Sequence, residues 1–295
     1  MELIKKPVHY TQEEKSIFDQ FYLDEDYNVP EQKDDVRRII QGSAEIRVEE
    51  IRPVENYVRI TGKVYFRILY MTASGDSRPA VLEGKLPFEE MVYAESDGNE
   101  TFFVRNMRTE FTGSIVNSRK VSLRIMAELE IGRERLRDEE LTVDVESDFP
   151  VYKKMQELNL LMLTASRKDT YRIKENLQLS GNKPNIDHIL WSEMKLRGIT
   201  TRPLDGKMVL DGELMVFVIY QGEGEDAPVQ WLEESIPFTG ELDLSEASEE
   251  MVPSVSVHLI HREIEAKPDY DGEMRELDVD AVLLVPQAGQ LAFGV

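Results

Sequence analysis

The clearest pattern in the chain is an alternation of apolar and other residues between positions 58 and 70. Apolar side chains take almost every second position, and Gly62 completes the row. A period of two is typical of a strand that packs one face on a core. The row consists of Val58, Ile60, Val64, Phe66, Ile68 and Tyr70. We therefore predict a half-buried strand over this stretch.

The same stretch recurs 150 residues later, at positions 208 to 220. The offset holds without a gap from Val36 and Ile186 to Phe88 and Phe238. Turn residues and core positions are kept while the surface between them differs, which predicts that one fold has been duplicated. The identical pairs include Gly62/Gly212, Tyr70/Tyr220, Glu83/Glu233, Pro87/Pro237 and Phe88/Phe238.

Each copy is predicted to open on a half-buried strand, around Phe21 in the first and Tyr171 in the second. The segments DDVRRII (34–40) and NIDHIL (185–190) follow. An Asp or Asn precedes an apolar i, i+3 pair in both, which predicts one capped helical turn. The shared Pro-Phe pair predicts a bulge or an edge strand, because proline cannot donate to a central ladder.

Another alternating row, from Val121 to Ile131, predicts a long buried strand late in the first copy. A similar row runs from Leu277 to Val285, and we align the two at an offset of 154. The additional residues fall in the preceding loop, where DYDGE (269–273) lengthens the turn. Segment 147–156 is predicted to be the junction between the copies.

Each copy therefore contains seven or eight predicted strands joined by hairpins. This regular spacing predicts a mainly β protein with two tandem antiparallel domains, each a β-sandwich or an open barrel. The domains are predicted to cover residues 1–148 and 149–295. A dinucleotide-binding or phosphate-loop fold is excluded, because no strand–helix–strand alternation is visible.

Charge and composition argue against several classes of ligand and chemistry. The 57 acidic and 35 basic residues give a net charge of −22, which argues against nucleic acid and favours a protein partner with a basic surface. The chain has no cysteine and hence no disulfide or thiolate chemistry. We expect no membrane insertion, because the longest uncharged run, 281–295, is shorter than the ~20 apolar residues of a span. The N-terminus lacks the apolar core of a signal peptide, so we expect a soluble protein that is not exported.

Two groups of residues could hold a metal ion. His258 and His261 are three apart on a predicted strand and should point to opposite faces, which disfavours a shared metal. Asp269, Asp271 and Gly272 resemble part of a calcium loop, but its first position would be Lys267. A hairpin turn is the favoured interpretation there.

The sequence motifs and residue groups that could indicate catalysis are absent or unspecific. No Gly-x-Ser-x-Gly or glycine-rich phosphate loop is present. Glu83/Glu233 is a repeated acid beside a repeated apolar residue, for which a structural role is favoured. Trp191 and Trp231 are isolated aromatic residues, expected to lie in the core rather than to bind a sugar. The sequence predicts no catalytic, cofactor-binding or metal-binding residue, and no enzyme.

A Val/Leu–Pro turn, an Asp-x-x-Arg-x-Ile segment and the glycine-centred strand form a pattern that occurs in both copies. The segments that carry it are KKPVHY, YNVPEQKDDVRRIIQGSAEI, VRITGKVYFRILY and LNLLMLTASRKDTYRIKENLQLSGNKPNIDHILW. Together they resemble the SPOCS-domain family of spore coat and cortex morphogenetic proteins from spore-forming Firmicutes. The similarity covers nearly the whole chain as two copies.

The resemblance implies a non-enzymatic scaffold that acts by protein–protein contacts in spore-coat assembly. It also implies a place in the mother-cell cytoplasm, at the forespore surface. Many family members carry a C-terminal LysM module, but only PQAGQLAFGV follows Val285 here. Two alternatives stay open: a pair of envelope carbohydrate-binding domains, and a hydrolase that uses two carboxylates in one cleft. Exposed aromatic pairs on one sheet face would favour the carbohydrate alternative.

Overall fold

The structure is a computed structural model, and it describes residues 1–73, 75, 77–96, 98–154, 159–224 and 228–294. Fourteen strands and no helix occur in these ranges. The strands are β1 (Glu2–Glu13), β2 (Ile17–Asn28), β3 (Val36–Val54), β4 (Tyr57–Thr72), β5 (Pro79–Tyr93), β6 (Thr101–Asn117), β7 (Lys120–Glu146), β8 (Asn159–Gln178), β9 (Ile186–Leu204), β10 (Lys207–Gly222), β11 (Val229–Asp243), β12 (Val252–Val255), β13 (His258–Pro268) and β14 (Met274–Gly294).

The strand pairing repeats along the chain, which confirms the predicted duplication. In the first copy (β2–β7), β2 and β6 pair with β7, and β3, β4 and β5 form a second sheet in that order. In the second copy (β8–β14), β8, β12 and β13 pair with β14, and β9, β10 and β11 form the other sheet. The N-terminal strand β1 also pairs with β7. The mainly β fold class is therefore correct.

The core of the first copy lies between its two sheets. The inward-facing residues of β7 from Val121 to Ile131 are at most 1% exposed, and the inward row of β4 from Val58 to Tyr70 is buried as deeply. One edge of this sandwich is partly closed, because Thr109 Oγ1 of β6 donates a 2.6 Å hydrogen bond to the main-chain oxygen of Ala44 in β3. The copy is thus intermediate between a sandwich and an open barrel.

The core of the second copy is built in the same way from the inward rows of β10 and β14. Met208, Leu210 and Tyr220 of β10 are fully buried. The residues from Leu277 to Val285 that follow the period of two in β14 are at most 2% exposed. The alternating rows seen in the sequence are therefore the inner faces of the central strands, β4 and β7 in the first copy and β10 and β14 in the second.

The repeated glycine and the repeated Pro-Phe pair form one packing unit. Gly62 lies directly opposite Phe88, and Gly212 lies opposite Phe238. A Cβ atom at Gly62 would clash with the main-chain oxygen of Arg47 and lie 2.8 Å from Cε1 of Phe88, so only glycine fits between the neighbouring strand and the ring. Phe88 and Phe238 are 7% and 8% exposed. Their strands, β5 and β11, are edge strands without a register shift, so the predicted edge position is correct.

The predicted helical turns are wrong, because both segments are strands with bulges. Residues 36–40 begin β3, and residues 186–190 begin β9. In β3 the register shifts between Val36 and Arg38 and again between Ile39 and Gln41. A bulge adds one residue to the alternation, so two apolar residues three apart reach the same face. An apolar pair three residues apart is also the spacing of a helical turn, so the sequence pattern does not distinguish a bulged strand from a helix.

The offset of 154 between the late strands is also wrong. Tyr27 pairs with Val121 in the first copy, and Leu177 pairs with Leu277 in the second. Since Tyr27 and Leu177 are 150 apart, Val121 corresponds to Leu277 at an offset of 156. Both offsets are even, so the predicted inner face is correct although the partners differ. With the corrected offset, Ile131 corresponds to Gln287, whose side chain is 1% exposed.

The backbone divides into two compact units that differ from the sequence repeats. One comprises Thr11–Leu136, and the other comprises Met1–Tyr10 together with Arg137–Val295. The domain limits 1–148 and 149–295 stay a prediction. The predicted junction is described only to residue 154, and residues 147–154 form no strand. Nowhere in the described residues does a helix reach the length and apolar content needed to cross a membrane.

Candidate functional site

The Val-Pro loop between β2 and β3 is held by two side chains from other strands. The guanidinium of Arg119, at the start of the β7 hairpin, donates to four acceptors in that loop. They are the main-chain oxygens of Val29 (3.0 Å), Pro30 (2.8 Å) and Lys33 (2.6 Å) and Oδ1 of Asp35 (3.1 Å). Tyr70, fully buried in β4, donates from its hydroxyl to the oxygen of Asp34 at 3.0 Å.

The second copy repeats this arrangement. Arg275 donates to the oxygens of Ser180 and Lys183 and to Oδ1 of Asn185, at 2.9 to 3.0 Å. Tyr220 donates to the oxygen of Pro184 at 3.2 Å. Burial is the main cause that raises the pKa of Tyr70 and of Tyr220, so both hydroxyls remain donors at neutral pH. The repeated polar residues thus hold a loop.

The two histidines do not point to opposite faces as predicted. A register shift between Leu259 and His261 places His258 opposite Leu284 and His261 opposite Val282. Leu284 and Val282 alternate with the buried residues of β14, so both histidines lie on the outer face. The cause is again a bulge, which the alternating pattern in the sequence did not reveal.

His261 belongs to a group of potential metal ligands with Glu263 and Asp280, whose ligand atoms lie within 4.8 Å of one another. The carboxylate of Asp280 already accepts a 2.7 Å hydrogen bond from Nε of Arg172. Lys174 Nζ lies 3.7 Å from the same carboxylate. The hydrogen bond from Arg172 is the main cause that lowers the pKa of Asp280. This group is best described as an ion-pair network, because Asp280 already pairs with two cationic side chains.

The DYDGE segment is a hairpin turn, as favoured from the sequence. Oδ1 of Asp269 accepts hydrogen bonds from the main-chain nitrogens of Asp271 and Glu273, each at 3.0 Å. Gly272 adopts a φ of 83°, which glycine tolerates best. A depression of about 220 Å³ lies beside the turn, below the ~300–1,000 Å³ of typical ligand pockets. It is lined by Gln178, Leu179, Asp269, Tyr270, Arg275 and Glu276.

The repeated acids Glu83 and Glu233 have different surroundings. Glu83 lies on the outer face of the first copy and forms an ion pair with Arg67, opposite it on β4. Glu233 lies at the same place in the second copy, but the residue opposite it is Phe217. Both glutamates are exposed on the outer face of their sheets. The structural role that the sequence favours for this pair stays a prediction.

Two other carboxylates face the core of the first copy. Asp19 of β2 and Glu90 of β5 occupy inward positions in the alternation of their strands and are half-buried. Burial raises the pKa of Glu90, and the charge of Asp19 adds to this shift. The signal for this pair in the sequence is an acid at an inward position of each strand. The second copy has Asp169 and Gly240 at these places, so the pair is not duplicated.

The two tryptophans separate into a buried and an exposed residue. Trp191 is 9% exposed, as predicted, whereas Trp231 is 57% exposed, and its predicted core position is wrong. Trp231 lies on the outer face of β11, and its ring is 6.4 Å from that of Phe217 with an interplanar angle of 32°. Lys183 Nζ is 5.4 Å from the centre of the Trp231 ring.

A second exposed aromatic pair lies on the outer face of the first copy. Tyr57 and Tyr93 are 42% and 56% exposed and pair directly across β4 and β5. Their rings are 5.5 Å apart and nearly perpendicular, at 79°. Exposed aromatic pairs favour the carbohydrate alternative, and Tyr57–Tyr93 is one such pair, whereas in the other pair only Trp231 is exposed and Phe217 is half-buried. The two pairs lie at opposite ends of their sheets and are not equivalent positions.

The fold and its repeated loop-holding residues define a duplicated β protein whose matched polar residues serve structure. The family described as SipL, SPOCS domain matches this chain at residues 35–106 and 185–267, which is more than half of its length. The chain belongs to that family, with one match in each copy. No curated protein and no solved structure matches the chain.

Proposed function

We propose that this protein is a non-enzymatic scaffold in the assembly of the spore envelope and acts through protein–protein contacts. Membership in the SPOCS-domain family supports a role in sporulation. The observation that carries the proposal is the structural use of the duplicated residues. Gly62 and Phe88 pack together, and Tyr70 and Arg119 hold a loop, and each has its equivalent in the second copy. A scaffold depends on its fold, so residues that maintain the fold are expected to recur in both copies.

Charge indicates the kind of partner. The excess of acidic residues gives the chain a net charge of −22, and exposed carboxylates on the outer sheet faces would attract a basic protein. The edge strands β5 and β11 offer main-chain groups to which an extended segment could pair. Their outward charged residues, such as Glu83 and Glu233, would discourage pairing with further copies.

The test is the position of a fluorescent fusion of the full chain in sporulating cells. We expect a ring at the forespore surface on the mother-cell side, which appears when the coat is assembled. A fusion that carries the paired changes Arg119→Met and Arg275→Met, which release both loops, should lose the ring. Uniform fluorescence of the unchanged fusion throughout sporulation would contradict the proposal.

A carbohydrate-binding role is the second candidate, and the observation that favours it is the exposed ring of Trp231 beside the half-buried ring of Phe217. Aromatic rings on a sheet face can stack on sugar rings. The discriminating measurement is binding of purified spore-cortex glycan to the full chain and to Trp231→Ala. Saturable binding that the substitution abolishes would favour this candidate over the scaffold.

A further inference from the structure

The outer face of β10 and β11 in the second copy carries an aromatic and acidic surface that the first copy lacks. Phe217 lies directly opposite Glu233 on the neighbouring strand, and Trp231 is the diagonal neighbour of Phe217. Phe217 is half-buried, while Trp231 and Glu233 are exposed. We call Phe217, Trp231 and Glu233 the aromatic–acidic surface.

The first copy shows what the repeated glutamate binds. Arg67 stands at the position of Phe217, and its guanidinium forms an ion pair with Glu83 across the two strands. In the second copy phenylalanine replaces that arginine, and within the described ranges no cation lies within ion-pair distance of Glu233. The carboxylate is kept, but its intramolecular guanidinium is gone.

The surroundings favour a cation over a neutral ligand. Guanidinium groups pair with carboxylates and also stack on aromatic rings, so one arginine side chain can satisfy Glu233 and cover Phe217 together. Lys183 Nζ lies 5.4 Å from the centre of the Trp231 ring, where it donates to the main-chain oxygen of Trp231, so a cation is already accommodated beside this ring. Glu193, which lies on the other side of Phe217, already forms an ion pair with Lys195 at 2.7 Å. Lys195 is therefore engaged by Glu193, and the carboxylate of Glu233 is the one that an incoming cation would meet.

We propose that the aromatic–acidic surface binds an arginine side chain in an extended basic segment of another protein. The arginine takes, between molecules, the place that Arg67 takes within the first copy. This inference rests on the proposed function, since it names the chemistry by which the scaffold would hold its partner. A glycan stacked on Trp231 is the competing occupant.

The test uses the full chain and a hexa-arginine peptide, with a hexa-citrulline peptide of the same length as the uncharged probe. Binding is followed by calorimetry and by the fluorescence of the exposed Trp231. Glu233→Gln is compared with Glu83→Gln, which removes the same charge from the equivalent position of the first copy. We expect Glu233→Gln to weaken hexa-arginine binding at least about tenfold, the cost of losing one charge-assisted pair, and Glu83→Gln to change it less than about twofold.

A second variant recreates the first copy. Phe217→Arg supplies Glu233 with an intramolecular guanidinium, so we expect the variant to fold, to keep its urea midpoint and to lose hexa-arginine binding. Equal weakening by Glu233→Gln and Glu83→Gln would mean general attraction to an acidic protein and would overturn the proposal. So would hexa-citrulline binding as tightly as hexa-arginine, or purified cortex glycan binding through Trp231 while the peptide does not.

These outcomes are separate from the test of the scaffold itself. If the fusion forms its forespore ring and the peptide does not distinguish Glu233 from Glu83, the surface assignment is wrong and the scaffold proposal stands. If the peptide distinguishes them but the fusion never reaches the forespore, the surface binds arginine and the proposed function is wrong.

Discussion

Replacing Phe88 or Phe238 by alanine should destabilise the copy that contains it. Each ring is more than nine-tenths buried, and each lies over a glycine that has no side chain to fill the space left behind. Phe88 also stacks on Phe21 at 5.1 Å, and Phe238 packs against Tyr171 at 5.8 Å. A buried Phe→Ala change costs ~3–5 kcal/mol, and the unfilled space places these two sites within that range.

The assay is urea unfolding of the full chain, followed by circular dichroism and by tryptophan fluorescence. Trp191 and Trp231 both lie in the second copy, in β9 and β11, so fluorescence reports that copy alone. At an m-value of about 2 kcal/mol/M, a loss of ~4 kcal/mol lowers a midpoint by about 2 M. Phe238→Ala should move the fluorescence transition, and Phe88→Ala should move a transition seen only by circular dichroism.

Phe18→Ala is the matched control. Phe18 lies on β2 beside the same sandwich but is 72% exposed, so its loss should change stability by less than about 0.5 kcal/mol. If Phe88→Ala or Phe238→Ala costs less than about 1 kcal/mol, the ring is not the packing element that its repetition suggests, and the reasoning from the glycine–phenylalanine pair fails.

Other substitutions test the polar groups. Gln287 is 1% exposed, and its side-chain amide has no hydrogen-bond partner among the described residues. The equivalent residue of the first copy is the apolar Ile131. Gln287→Met should therefore stabilise the second copy by about 1–2 kcal/mol and raise the urea midpoint of the unfolding transition that tryptophan fluorescence reports. Glu100 is held by hydrogen bonds from Ser96 and Arg135, which lower its pKa from 4.5 to about 2. A depressed carboxyl pKa gives stability above the unfolded value that is lost as pH falls towards the folded one. Glu100→Gln should therefore lower the free energy of unfolding by about 3 kcal/mol at pH 7. It should also flatten the loss of stability between pH 4.5 and 2, measured as urea midpoints across that range. An unchanged loss of stability over this pH range would contradict the prediction.

The alternating rows could be predicted because burial on one face of a long strand leaves a direct trace in sequence. Val58 to Tyr70 and Val121 to Ile131 are buried as expected. The duplication added the pairing of Gly62 with Phe88, since both recur at one offset. The loop-holding role of Arg119 could not be predicted, because it depends on contacts with residues about 90 positions away.

Two of the wrong predictions have one physical cause. Bulges in β3 and β13 add a residue to the alternation, which made a strand resemble a helical turn at Val36–Ile39 and placed His258 and His261 on one face. The exposed position of Trp231 was missed for another reason. Trp231 is out of phase with the buried Leu232, Ile236, Phe238 and Leu242, so the alternation of β11 places it outward, although large aromatic residues are usually largely buried.

If this protein binds a basic protein partner, as we propose, salt should slow their association. The assay uses the protein that the full chain captures from sporulating cells, and both rate constants are measured between 0.1 and 1 M salt. Over this range the Debye length falls from ~10 to ~3 Å, which removes steering by exposed charge. We expect association to slow by about tenfold or more while dissociation changes little. An association rate independent of salt, or turnover of a glycan in place of stable protein binding, would contradict the account.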